Sequence, residues 1–497
     1  MSRRSRSRRG EVWLGTADLL LLATAVGLPW FWGGVAQAAS RSAAALIGAA
    51  VAWTLIRRGT SGLGLDREAR WLAPAVLLGL FALLQTVPLP RSWVAAVSPR
   101  AAALQRETFG EGAREGSAWL RGLEERARTR VPECAAVAPS AVAPADPALP
   151  SPPAAFTLSL QPSATRERLF WYAALLLAFV LAQSRAQDRA VAGHYRTALF
   201  AGTGALIAVG IANRLTAPHR LLWILDAPTE TKPFGPYVNP NHFVGVMELM
   251  VPWLLGHGLA SLSRRGDEPL GAGSVLPLAV GVAGAAATVL AGSKTATMTI
   301  GASSLLLLAA AMRRQRARRT VMVFATATAV LLAVIAALGP LSMRISDYLA
   351  VYGPLSAADR AVLWRAGLPM IGDFPVTGSG FGAFREVIGF YLPRGEPEHW
   401  LQMHNDYLEI AVGGGAIALG LLAWLAAGYG ARFARALRAE RAQNGYLPGL
   451  GLLLGLASLA VHEAVDFNLQ VPANALLFVV AAAIGVAPAA RRTETSS

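Results

Sequence analysis

Apolar and polar positions do not alternate finely along this chain. They fall into about a dozen long apolar runs separated by short basic or polar stretches. Runs of 15 to 22 residues match the thickness of a bilayer core crossed by a helix. The runs predict helices at 12–33, 43–56, 71–88, 169–184, 197–213, 243–262, 275–291, 297–312, 320–338, 407–430, 446–461 and 470–488. The expected fold is an all-α polytopic membrane protein with about twelve transmembrane helices. The chain then divides into spans 1–3 (1–88), a long Ala/Pro-rich loop (89–168), spans 4–9 (169–338), a large folded loop (339–406) and spans 10–12 with a tail (407–497).

Composition strengthens this picture. Hydrophobic residues make up 54% of the 497 residues and charged residues 15%, against about 25% charged in soluble proteins. A soluble globular protein, a β-barrel and a disordered chain are all excluded. The single cysteine, Cys134, permits no intramolecular disulfide.

The net charge of +15, from 45 Lys+Arg against 30 Asp+Glu, reads as topology rather than as a nucleic-acid patch. Lys and Arg collect in cytoplasmic loops. With the N-terminal arginines placed inside, alternation puts 25 basic residues on the inner side. Of the other 20, 15 lie in the two long loops, which translocate largely regardless of charge. The result is twelve spans with both ends inside. The arginine-rich start, the first apolar run and Ala36-Gln37-Ala38 also resemble a cleavable signal peptide. Trp30, Phe31 and Trp32 look instead like an interfacial aromatic belt, so the first span is expected to be retained.

The chemistry-bearing side chains sort to the outer side. Five of the seven histidines fall there, whereas the inner loops hold mainly arginine. An enzyme on that side has no ATP or nucleotide-sugar and needs an activated donor delivered through the membrane. The segment His404–Glu409 (HNDYLE) sets a histidine just before a helix whose first turn carries Asp406 and Glu409 at capping-box spacing. A helix N-terminus favours anions, and a histidine there can deprotonate a hydroxyl at neutral pH. The alternative is an interfacial histidine bonded to a neighbour. Arg360 and Trp364 are i,i+4 on an amphipathic helix, with Arg365 beside them. Arginine suits bidentate phosphate contact or snorkelling at the interface. Asn239 and Asn241 in NPNHF fit either sugar hydroxyls or helix capping. Lys294 lies in a short outer turn, and His462, Asp466 and Asn468 form another. The run 378–382 (GSGFG) reads as a tight turn. No His/Asp set has metal-ligand spacing, and the spans are nearly uncharged in their middles, which disfavours the alternative of a lipid-glycan or solute transporter.

These segments together resemble the O-antigen ligase family, a superfamily of ligases and polymerases of bacterial surface polysaccharide. The resemblance rests on NPNHF at 239–243, Ser293-Lys294-Thr295, Arg360 with Trp364, Asp373, Pro375, GSGFG, HNDYLE followed by Gly413 to Gly415, and HEAVDFNLQVPAN at 462–474. It covers about residues 235–475. Two features depart from the family: many members carry arginine where this chain has Lys294, and the long Ala/Pro-rich loop is unlike a compact ligase.

The resemblance implies a GT-C-like fold in the bacterial inner membrane, working at the periplasmic face without cofactor or metal. The donor would be a glycan on undecaprenyl diphosphate. The acceptor would be a hydroxyl of lipid A-core or of a growing glycan. On this reading His404 and Arg360 are catalytic, while Lys294, Arg365 and Arg385 bind diphosphate. Asn239, Asn241, Asn405, Asp406, His462 and Asp466 orient substrate.

Overall fold

The computed structural model describes residues 14–63, 67–108, 153–227, 233–265, 271–313, 322, 353–392, 402–442 and 446–487. The expected ninth span at 320–338, the Ala/Pro-rich stretch, Cys134 and the N-terminal arginines lie outside the described residues, apart from Met322.

The molecule is a bundle of helices. In chain order these are α1 (Thr16–Gly27), α2 (Gln37–Arg58), α3 (Ala73–Gln85), α4 (Arg91–Val97), α5 (Pro99–Thr108), α6 (Pro162–Ala186), α7 (Arg189–Thr216) and α8 (Pro240–Arg265). They continue with α9 (Ala272–Ala291), α10 (Lys294–Met312), α11 (Gly353–Asp373), α12 (Phe384–Ile388), α13 (Asp406–Ala442), α14 (Tyr446–His462) and α15 (Pro472–Val486). Eleven of the twelve predicted apolar segments coincide with helices. Among the described residues, six helices are long and apolar enough to cross a membrane, and five shorter apolar ones accompany them.

At the centre stands α8, where 94% of the most apolar stretch is buried against protein. Helices α9, α10 and α14 surround it. Small residues permit the close approach: a Cβ at Gly451 or Gly455 on α14 would overlap the α8 carbonyls of Pro252 or Leu249.

The expectation of nearly uncharged spans is corrected at two places, Asp18 in α1 and Glu248 in α8, each almost fully buried. A buried carboxylate needs partners, and Asp18 has three. Arg185 of α6 reaches both its oxygens at 2.8 Å, Tyr195 of α7 donates at 2.7 Å, and the Gly15 amide donates at 2.9 Å. This clamp ties the first helix to α6 and α7, so a first helix that is cut away would leave Arg185 and Tyr195 without their shared acceptor.

At the other end of the bundle, the two long loops pack on each other. Val94, Ala101, Leu104, Phe156 and Leu158 of the first loop share one apolar cluster with Leu363, Met370, Phe374, Phe384 and Val387 of the second. A short antiparallel pair, Leu89–Pro90 with Ala155–Phe156, closes the base of the first loop.

The GSGFG run is not an isolated tight turn. Helix α13 breaks at Gly415, which has a φ of 60°, and the run is laid against the break. The amides of Ser379 and Gly380 donate to the carbonyls of Val412 and Gly413 (2.8 and 3.0 Å), and the amide of Ala416 donates to Pro375 (2.9 Å). The buried Gln85 of α3 donates to the Thr377 and Gly413 carbonyls at 2.7 and 2.9 Å and accepts from the Phe381 amide at 3.2 Å. Non-helical backbone at membrane depth survives only when its polar groups are satisfied within the protein. Gly378, Gly380 and Gly382 all have positive φ, and a Cβ at Gly378 would overlap the Gly413 backbone.

Replacing Asp18 by Asn should destabilise the fold by about 3–5 kcal/mol, because Arg185 keeps a buried charge without its partner. Thermal unfolding in detergent checks this. The double replacement Asp18→Leu with Arg185→Met should recover part of the loss, and equal losses in single and double variants would contradict the clamp.

Candidate active site

Asp466 lies in the loop between α14 and α15 and is fully buried. Four segments far apart in sequence converge on it. Its Oδ2 accepts from Asn241 Nδ2 at 2.9 Å and faces Arg360 Nη2 at 3.6 Å and His462 Nε2 at 3.9 Å. Its Oδ1 accepts from the Phe467 amide at 3.0 Å and faces His404 Nδ1 at 3.6 Å. Phe467 packs edge-on against both His404 and His242, with ring centroids 4.8 and 4.9 Å away.

Burial alone would raise the Asp466 carboxyl, but His404, His242 and Arg360 outweigh it and hold the group at about 2. Asp466 is therefore an anion at neutral pH. The groups around it differ in access. Asp466 is sealed, whereas about a quarter of the His404 and Arg360 side chains remains exposed (26% and 27%). A buried anion thus carries two reachable side chains, one a base and one a permanent cation.

Local structure explains how each is placed. Arg360 and Trp364 lie on one face of α11, four residues apart. The Trp364 indole donates to the Met403 carbonyl at 3.0 Å, which pins the turn holding His404. His404 itself has a φ of 50°, a left-handed conformation that non-glycine residues seldom adopt and that clusters at functional sites. The turn is fastened on its other flank too, since the Glu409 carboxylate accepts from the Met403 amide at 2.9 Å.

The expected capping box takes another form. Asn405 is the cap, accepting from the Leu408 amide at 3.0 Å and donating to the Ala464 carbonyl at 2.8 Å. Asp406 is buried instead. It accepts from Gln470 at 2.7 Å and shares a hydrogen bond with Glu463. Burial first, and the Asp406 carboxylate second, hold the Glu463 carboxyl well above the usual carboxylate range, so Glu463 is the proton-bearing partner.

The other expected residues separate into two groups. Asn241 touches Asp466, and Asn239 accepts from the Asn241 amide at 2.9 Å as it opens α8. His462 is 3% exposed and sits between Asp466 and Glu248. Lys294, Arg365 and Arg385 are exposed. Arg365 follows Arg360 by five residues, about 140° around a helix, so the two cannot share a face. Lys294 opens α10, whose Thr299 bonds Glu248, and this places the lysine at the same end of the bundle.

Three residues outside the predicted set belong to the site. Glu248 bonds His462 at 2.6 Å. Gln470 joins Asp406 to Arg168, accepting from the arginine at 3.2 Å. Asn474 donates to the His242 carbonyl at 2.9 Å and accepts from Tyr237 at 3.0 Å. A lone acid in the apolar run NHFVGVMELM was the available signal for Glu248. Among the described residues, no three His, Cys, Asp or Glu side chains are arranged to hold a metal ion.

A depressed carboxyl stabilises the folded state above the unfolded pKa, near 4, and loses that contribution as pH falls through the folded value. The stability gap between the native chain and Asp466→Asn should therefore be full above about pH 4 and narrow as pH falls towards 2. Thermal unfolding across that range measures it, and a gap independent of pH would contradict the assignment.

No curated protein matches the chain. A family model described as O-Antigen ligase matches residues 279–423, a segment that holds Lys294, Arg360, Arg365, Arg385, His404, Asn405 and Asp406. The elements carrying the two exposed groups set on Asp466 thus lie within the matched segment, where this chain with its many apolar helices is similar to the O-antigen ligase family.

Proposed function

We propose that this protein transfers a glycan from an undecaprenyl diphosphate carrier to an acceptor hydroxyl at the periplasmic face of the bacterial inner membrane, as an inverting, metal-independent glycosyltransferase. The observation that carries the reading is the convergence of His404 and Arg360, both partly exposed, on the buried Asp466. The one-sided distribution of basic residues supports the orientation, because it leaves this end of the bundle outside.

The residues divide the reaction between them. Asp466 Oδ1 faces His404 Nδ1 and, on accepting that N–H, fixes the ring with Nε2 able to take a proton. This is the role a buried carboxylate plays beside a catalytic histidine. At 3.6 Å the contact exceeds a hydrogen bond, and such contacts tighten when substrate binds. His404 takes the proton of the acceptor hydroxyl while that oxygen attacks the anomeric carbon. The bond from the anomeric carbon to phosphate oxygen breaks, and the lipid diphosphate leaves with the electron pair. Attack opposite the leaving group inverts the centre.

Arg360 faces the departing diphosphate and neutralises it, as fixed cations do for developing anions. Lys294 and the exposed Arg365 and Arg385 draw the diphosphate to the site as point charges at its rim. Asn239, Asn241, Asn405 and Asp406 hold the turns that orient the substrates, and membrane lipids hold the donor's tail beside the bundle.

His404→Ala should reduce surface glycan by at least about 100-fold at normal protein level, the low end of a general base's contribution. Arg360→Ala should reduce it comparably. Gel analysis of surface glycans in a complemented deletion strain reads both, and full glycan assembly in both variants would sink the proposal. The same strain separates two acceptors: deletion of a ligase leaves unmodified acceptor, and deletion of a polymerase leaves single repeat units on it.

A further inference from the structure

Glu248 plays no part in the reaction as drawn, yet it sits where a carboxylate is hardest to keep. It lies eight residues past Pro240 on the central helix, ~12 Å along the axis, and is fully buried. Intramembrane acids are costly and default to a functional reading. A need for packing alone would be met by an apolar side chain.

Its contacts run to the site. Glu248 Oε2 is 2.6 Å from His462 Nδ1, and Oε1 accepts from the Thr299 hydroxyl of α10. The other nitrogen of the same ring, His462 Nε2, is 3.9 Å from Asp466 Oδ2. Asp466 Oδ1 in turn faces His404. The line Thr299–Glu248–His462–Asp466–His404 therefore joins α10, α8, α14 and the head of α13. A second bond between α10 and α14, Ser303 with Ser458 at 2.7 Å, holds the helices in this register, and Gly455 lets α14 lie against the α8 backbone.

We propose that Glu248 is a positioning residue for glycan transfer: through His462 it fixes the Asp466 carboxylate against which His404 and Arg360 are set. The proposal rests on the transfer reading above. An imidazole bonded through Nδ1 to one carboxylate and facing a second through Nε2 satisfies both only as an imidazolium, a donor at each nitrogen. Glu248 supplies the charge that keeps it so. The charged and titratable groups facing this pair are Asp466 from its own loop and Arg360 from α11, with His404 and His242 beyond Asp466. From α10 comes the neutral hydroxyl of Thr299.

The test is glycan assembly by complemented deletion cells in media from pH 6 to pH 8, with protein level and thermal stability monitored. Glu248→Gln keeps the shape and removes the charge. Measured as a ratio to the native chain at the same pH, its glycan should be near native at pH 6 and fall by about tenfold or more at pH 8, a ratio that cancels the pH dependence the general-base step gives both chains. Thr299→Val, a milder change that keeps Glu248 itself, should move in the same direction to a smaller extent and stands in if Glu248→Gln does not accumulate. A native-like pH response in the accumulating variants overturns the proposal. So does an equal loss at every pH, which is what a purely structural role predicts. His404→Ala in the same series separates the two ideas. Native glycan in His404→Ala sinks the transfer reading itself, whereas loss there with native-like Glu248→Gln and Thr299→Val sinks only the role of Glu248.

Discussion

An anion sealed from water must be matched by donors and cations from the protein, and Asp466 imposes that requirement on the whole outer end of this bundle. Its partners come from α8 (Asn241), α11 (Arg360), the turn before α13 (His404) and the end of α14 (His462). None of these segments can shift without stranding a buried charge, which costs far more than a surface ion pair. The histidine and the arginine are therefore held partly exposed, in a fixed relation, by a group that is itself sealed from water.

The backbone beneath the site obeys the same logic. Helix α13 breaks at Gly415, little more than two turns after it begins at Asp406, and the GSGFG run and Gln85 take up the freed carbonyls and amides. The broken helix and the loop are thus one element. The loop that carries Arg360 is anchored to the helix that follows His404, and the apolar cluster shared by the two long loops holds both from above. Paired internally, Asp18 and Glu248 do not line a path across the bundle, so the charges found within spans do not favour transport.

Much of this was legible in the sequence because it is local. Apolar runs gave the helices, and helical spacing put Arg360 and Trp364 on one face. The position of His404 before a helix, and of Asp466 in a loop on the same side, marked both as site residues. What was illegible is non-local. Gln85 bonds Gly413 at the helix break, 328 residues away, and nothing near it in sequence announces that role. Asn405 rather than Asp406 caps α13, because Gln470 and Glu463 draw Asp406 to a different contact. Arg365 and Arg385 read as diphosphate ligands beside a catalytic Arg360; both are exposed, and helical phase turns Arg365 away from Arg360. Glu248 was hidden by its span, where an average over apolar neighbours conceals the one residue that most needs a partner.

The central claim is that the groups gathered on Asp466 transfer a glycan off a lipid diphosphate. Mass analysis of extracted lipids from a deletion strain, with and without the Asp466→Asn chain restored, tests it most directly. The account predicts that diphosphate-linked glycan accumulates in the deletion strain and stays high with Asp466→Asn, while the native chain clears it. An unchanged pool of lipid-linked glycan in the deletion strain would contradict it.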